Sequence, residues 1–155
     1  MSTRAIKYLT KKKIPFEVIT YQHAEKGAEF AARAVGFPLA RTIKTLVVDL
    51  GRKQYRLILM PGDAQVSLKK LAKACGVKRA MMADTRTAER LTGYLVGGIS
   101  PFGTRQRLEA VMDEALLVHP QVLINGGQRG TLLKMAPTDI ADLLAAEVAD
   151  IDQAD

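Results

Sequence analysis

Seven of the chain's twelve glycines crowd into two short stretches, where backbone itself can act as a chemical group. The first reads Gly93-Tyr94-Leu95-Val96-Gly97-Gly98-Ile99-Ser100-Pro101-Phe102-Gly103, and the second Gly126-Gly127-Gln128-Arg129-Gly130. Lacking a Cβ, such backbone can turn sharply or let a ligand approach main-chain N–H groups. Pro101 fixes its own φ and presses Ser100 towards extended geometry, so a rigid loop is expected. Two readings follow. One is a tight turn between strands; the other is a preorganised cradle of backbone donors around a carbonyl or phosphate.

A second chemical candidate is Lys44, in the run Thr42-Ile43-Lys44-Thr45-Leu46-Val47-Val48. On a strand it shares a face with Leu46 and Val48. A charge on an inward face is costly unless an anion waits there, whereas a lysine at a strand end can reach solvent. Tyr21 and His23, at the end of an earlier strand, can supply hydroxyl and imidazole contacts or simply form a rim.

A protein nucleophile is harder to find. Ser100 does not sit in a G-x-S-x-G elbow, and Pro101 removes the N–H expected just after such a nucleophile. The two histidines, His23 and His119, support neither a Ser-His-Asp arrangement nor a metal site, and no cofactor signature is present. Cys75, the only cysteine, lies in the helical pattern Leu68, Leu71, Ala74, Cys75 and reads as core. Any hydrolysis would therefore use the loop to stabilise charge on the substrate, with the attacking group coming from elsewhere.

Charge points to the partner. Between Ser67 and Arg107 nine lysines and arginines face only Asp84 and Glu89, which accounts for the whole net charge of +7. Lys69, Lys70, Lys73, Arg79, Arg105 and Arg107 are the candidate contacts for a polyanion. From Pro137 onwards there are six acids and no bases, so that end is not expected to touch it.

These residues need a scaffold. Thr3 is placed to cap a helix carrying Ile6 and Leu9. Phe16 to Tyr21 alternates as a strand, and Glu25 to Val35 reads as a small-residue helix closed by Gly36. Thr42 to Leu50 and Gln54 to Met60 read as a hairpin about Gly51-Arg52-Lys53. Ser67 caps a helix to Cys75, Lys78 to Ala83 suggests a short strand, and Asp84 caps a helix to about Leu91. Leu108 to Leu117 fits helix or strand. Val122 to Asn125 and Thr131 to Met135 flank the second glycine stretch, and Thr138 is expected to cap a last helix carrying Ile140, Leu143, Leu144 and Val148. Strands and helices alternate without a βαβ rhythm, which predicts one α+β domain with a mixed sheet. At 155 residues one core suffices, and the longest aliphatic run, Leu57 to Met60, is far short of a membrane span. The polar, basic start shows no signal peptide, and a lone cysteine suits the cytoplasm.

The glycine stretches, preceded by Met82-Ala83-Asp84 and combined with Ile43-Lys44-Thr45-Leu46, resemble the YbaK/EbsC family over nearly the whole chain. Its members are bacterial stand-alone editing proteins, similar to the insertion domain of prolyl-tRNA synthetases. The resemblance implies a single editing domain over residues 1–155, with a mixed, partly barrel-like sheet surrounded by helices. It also implies hydrolysis of Cys-tRNA(Pro), with the substrate's own thiol assisting ester cleavage, and prolyl-tRNA synthetase as a possible partner. By the same resemblance Lys44 holds the terminal adenosine of the tRNA, Gly98, Ile99, Ser100 and Pro101 face the aminoacyl ester, and Tyr21 lies near the substrate, with Gly97 among the substrate contacts. Gly127 and Arg129 join the substrate contacts. Some YbaK-like proteins carry an acid where this chain has Leu132. Deacylation of another small amino acid, such as Ala-tRNA(Pro), and a catalytically silent tRNA- or synthetase-binding module are the alternatives.

Overall fold

The computed structural model describes residues 2–25 and 27–154; Met1, Lys26 and Asp155 lie outside them. Helix α1 (Arg4–Lys11) starts where expected, with the Thr3 hydroxyl accepting the Ile6 N–H at 3.1 Å, and buries Ala5 and Leu9. Strand β1 spans Glu17–Thr20. Helix α2 (Ala28–Val35) begins later than the Glu25 expected, because Gly27 at φ 108° holds a non-helical turn; Gly36, at φ 76°, closes it. The hairpin is as read: β2 (Ile43–Asp49) pairs with β3 (Tyr55–Pro61) from Ile43↔Pro61 to Asp49↔Tyr55. Its connection puts Gly51, Arg52 and Lys53 all at positive φ.

Helix α3 (Leu68–Ala74) is capped by Ser67, and Cys75 stands at its C-cap, half-buried rather than inside the helix. Strand β4 is only Met81–Met82, and α4 (Thr85–Thr92) runs from the Asp84 cap to Gly93. The ambiguous stretch is divided between both readings: Glu109–Asp113 is strand β5, and Glu114–Val118 is a 3₁₀ turn. Strands β6 (Val122–Asn125) and β7 (Thr131–Met135) form the second hairpin.

The last element differs from the reading. Helix α5 (Pro137–Leu144) starts on Pro137, whose missing N–H costs nothing at a first turn, and Thr138 caps nothing. Ala145 turns left-handed at φ 47° and ends the helix, so Val148 falls in strand β8 (Glu147–Ala149). Parallel pairing with β5 wins over helical propensity there.

The strands form two groups, β1-β7-β6 and β4-β2-β3-β5-β8, joined by a parallel bridge between Thr42 and Leu123. Pairing is antiparallel except for β3-β5 and β5-β8, so the five-stranded group is mixed, and the strands do not close into a barrel. The largest apolar cluster joins α1, the smaller sheet and α5 to Tyr94 and Phe102 of the glycine loop, so that loop is anchored in the core. Another cluster lies under α3, and Ala31 of α2 packs on Leu123 and Leu132. Among the described residues no helix is long and apolar enough to cross a membrane.

Candidate active site

Strand β2 pairs along its whole length with β3, but its other edge is covered only at its ends. At the start Thr42 meets β6; at the far end Val48 and Asp49 pair with β4, and Ala83 N–H donates to the Val47 carbonyl at 3.0 Å. The stretch between is a notch, and a cavity of about 240 Å³ opens on to it. Backbone polar groups alternate sides along a strand, so Thr45, two residues before Val47, turns its N–H and carbonyl towards the cavity.

Lys44, Tyr21, Gly97 and Ile99 line this cavity, together with Ala31 of α2 and Met82 of β4. Among the described residues no hydrogen bond or ion pair holds the Lys44 ammonium. Burial pushes its pKa below the ordinary lysine value, while the more distant charges of Asp63 and Asp152 pull it back up. A half-buried cation facing a cavity is poised for an anionic or strongly polar ligand. Leu132, also on the wall, is buried against α2. The Thr45 hydroxyl is buried there without a hydrogen-bond partner.

The glycine loop is rigid for reasons that its sequence only partly shows. The buried Tyr94 hydroxyl donates to the Phe102 carbonyl and cinches the loop; burial raises the Tyr94 pKa to about 12, so it stays protonated. The Val96 N–H donates to Glu89 of α4 at 2.8 Å. Asn125, at the end of β6, donates to the Gly97 carbonyl at 3.0 Å and accepts the Gly127 N–H at 2.8 Å, locking the two glycine stretches together. Their closeness demands the glycines: a Cβ on Gly98 would lie 2.7 Å from the Gln128 Cα, and one on Gly97 would collide with Arg129.

This bracing sorts the expected site residues. The Gly98 N–H is already given to the Leu95 carbonyl at 2.8 Å, and Gly98 lines a second cavity with Gly127, Arg129 and His23. Ser100 is fully buried, its Oγ accepting the Phe102 N–H at 3.1 Å, and neither Ser100 nor Pro101 lines either cavity. Cys75 lines neither. Among the described residues no group of His, Cys, Asp and Glu is arranged to hold a metal ion.

The basic residues disperse. Lys69, Lys73 and Arg79 line one shallow depression beside α3, Arg107 lies near the start of β3, and Arg105 sits against Gly93 at the foot of the glycine loop. Lys70 turns away: its ammonium binds the Asp150 carboxylate and the carbonyls of Asp152 and Ala154, so it ties down the C-terminal segment. Asn125, Glu89 and Thr45 were missed by reading the sequence. An Asn before Gly-Gly is a recognisable turn signal, but nothing local marks Glu89 or Thr45.

Comparison with known proteins agrees with this geometry. Residues 23–143 match the family model for the aminoacyl-tRNA editing domain. A protein of Enterococcus faecalis, provisionally named Cys-tRNA(Pro)/Cys-tRNA(Cys) deacylase EbsC, is 31% identical over 96% of this chain and 92% of its own. The multifunctional Ser/Thr-tRNA deacylase ProXp-y of Escherichia coli is 30% identical over 86% of this chain and 83% of its own. A crystal structure provisionally described as a trans-editing enzyme for prolyl-tRNA synthetase superposes with a TM-score of 0.89 at 29% identity, covering 99% of both chains. With the notched strand, the lysine and the paired glycine stretches all in place, the chain belongs to the aminoacyl-tRNA editing domain family.

Proposed function

We propose that this chain is an aminoacyl-tRNA deacylase that clears cysteine from mischarged tRNA(Pro) in trans, with residues 1–155 acting as one editing unit. One observation carries the reading: the cavity joins a half-buried lysine to a braced glycine loop, and among the described residues no serine, cysteine, histidine or carboxylate lines it. A cysteinyl ester brings its own nucleophile, since an ordinary thiol ionises at about 8.5, far below the serine and threonine hydroxyls. The thiol gives up its proton and its sulfur attacks the ester carbonyl carbon. The carbon–oxygen bond to the ribose breaks, the ribose oxygen takes a proton, and water opens the cyclic thioester. Thiol and carbonyl belong to one residue, so no second molecule has to be captured, and the site need only hold them in a reactive geometry.

In this reading Lys44 holds the terminal adenosine, Tyr21 closes the site beside it, and the N–H groups of Gly97 and Ile99 polarise the carbonyl. The Gly98 amide, spent on Leu95, serves the loop's shape instead. Prolyl-tRNA synthetase in the cytoplasm supplies the mischarged tRNA; the description of the superposed structure supports that pairing. The relative from Enterococcus faecalis supports cysteine as substrate. A second reading is favoured by the Escherichia coli relative, named for serine and threonine at nearly equal identity. There water would be the nucleophile.

Single-turnover deacylation of tRNA(Pro) charged with cysteine, serine, threonine or alanine decides between them. The cysteinyl substrate should be cleaved fastest, and alkylating its thiol should abolish the advantage. Equal rates for cysteine and serine, or an unchanged rate after alkylation, would overturn the thiol mechanism.

A further inference from the structure

The glycine loop is a partition as well as a wall. Val96, Gly97 and Ile99 line the notch cavity, whereas Leu95 and Gly98 line a second cavity of about 610 Å³ on the other side. Arg129 stands on the crest between them. Its side chain lies across Gly97, the place where a Cβ would collide with it, and its Nη2 donates to the Val96 carbonyl at 3.1 Å. The guanidinium has five N–H donors, and this bond uses one. Among the described residues no carboxylate pairs with it. An exposed arginine fixed in one orientation, with its remaining donors open, is built for a planar or phosphate acceptor.

The second cavity completes a pattern. Leu95, 75% exposed, offers an apolar surface at its wall. His23 offers an aromatic ring, seated over Gly130, where a Cβ would fall 2.6 Å from Nδ1. An apolar face, a ring and a cation around one hollow are the requirements of a stacked nucleotide. Resting on the deacylase reading above, we propose that this second cavity receives the penultimate nucleotide of the substrate's single-stranded 3′ end. Arg129 then holds the phosphodiester that joins it to the terminal nucleotide in the notch. The loop's glycines keep the crest low enough for the strand to pass over, and the ester is set by two anchored nucleotides rather than one.

The test uses cysteinyl esters of adenosine, of the dinucleotide CpA, and of CpA with an uncharged methylphosphonate linkage. With the wild-type protein, kcat/KM for the CpA ester should exceed that of the adenosine ester by roughly 10-fold or more, and the neutral linkage should lose most of the gain. In Arg129→Gln the charged and neutral linkages should perform alike. A neutral linkage as good as the charged one in the wild-type protein overturns the proposal, and so does an equal linkage penalty in wild type and variant. Titration of uncharged CpA against adenosine reads the same linkage effect without turnover. If the cysteinyl esters resist hydrolysis while CpA still binds more tightly in a linkage-dependent way, the cysteine reading falls and the nucleotide site stands.

Discussion

Replacing Lys44 by methionine separates two effects that the lysine combines. Deacylation should be lost, because the ligand's polar group would meet no cation, and stability should rise, because a desolvated charge is removed. The pH dependence has a definite sign. Burial lowers the folded-state pKa, so the unfolded chain binds the proton better and the charged lysine costs stability at neutral pH. That cost fades as pH climbs towards 10.5, so the gain in Tm of Lys44→Met over wild type should be greatest at neutral pH and shrink as pH approaches 10.5. A variant that melts earlier than wild type at pH 7 would contradict the assignment. Thr45→Val tests the neighbouring residue. Losing a buried hydroxyl with no partner should leave stability unchanged or raise it by about 1 kcal/mol, read by thermal unfolding; a clear loss would mean the hydroxyl is bonded. Lys44 is legible in the sequence because a lone cation on an aliphatic strand is costly if its face turns inwards. Thr45 is not, because threonine is ordinary in a strand and its orphaned oxygen appears only once the walls are in place.

At the scale of elements, the site is two loops and a strand edge held in register by Asn125. One of its bonds spans 28 residues, from the end of β6 to Gly97, and the other, from the Gly127 N–H, fixes the start of the Gly126–Gly130 turn. Asn125→Ala leaves a carbonyl and an N–H unpaired and should cost about 1–3 kcal/mol of stability. Freed from Asn125, the Gly97 segment should shift, and kcat should fall by up to ~10²-fold with little change in KM. Equal losses of kcat and stability in a panel of unrelated destabilised variants would reduce Asn125 to a structural residue. Both glycine stretches, the hairpin and the helix caps at Thr3, Ser67 and Asp84 are legible, since each depends on neighbours in sequence. The end of α5 is not. Residues 146–149 suit a helix by themselves, and only the open edge of β5 makes them a strand. The mutual packing of Gly98 on Gln128 is likewise invisible until the loops meet.

For the whole molecule, a net charge of +7 describes a field, and the structure shows which charges are free to meet a polyanion. Neutralising Lys69, Lys73 and Arg79 together should weaken tRNA binding and flatten its log–log salt dependence, by roughly 0.9 per lost phosphate contact or less. Lys70→Met should leave that slope alone and lower Tm instead, because its ammonium secures the C-terminal segment. Filter binding across salt concentrations together with thermal unfolding distinguishes the two. A slope that responds to Lys70 but not to the other three would reverse the assignment. Counting basic residues along the chain cannot separate a lysine facing solvent from one folded back on the protein's own carbonyls.

The notch in β2 has a consequence for self-association. A strand edge with unpaired N–H and carbonyl groups is a template on which a second chain can add a strand, and proteins guard such edges with charge. Here the open stretch is short and half-buried, closed at one end by Thr42 on β6 and at the other by β4, and among the described residues Lys44 is the one cation along it. In the proposed reading, the lysine that holds the substrate would then also guard against strand addition. Lys44→Met, though thermally more stable, should aggregate sooner in concentrated solution than Lys44→Arg, as light scattering at equal concentration would record.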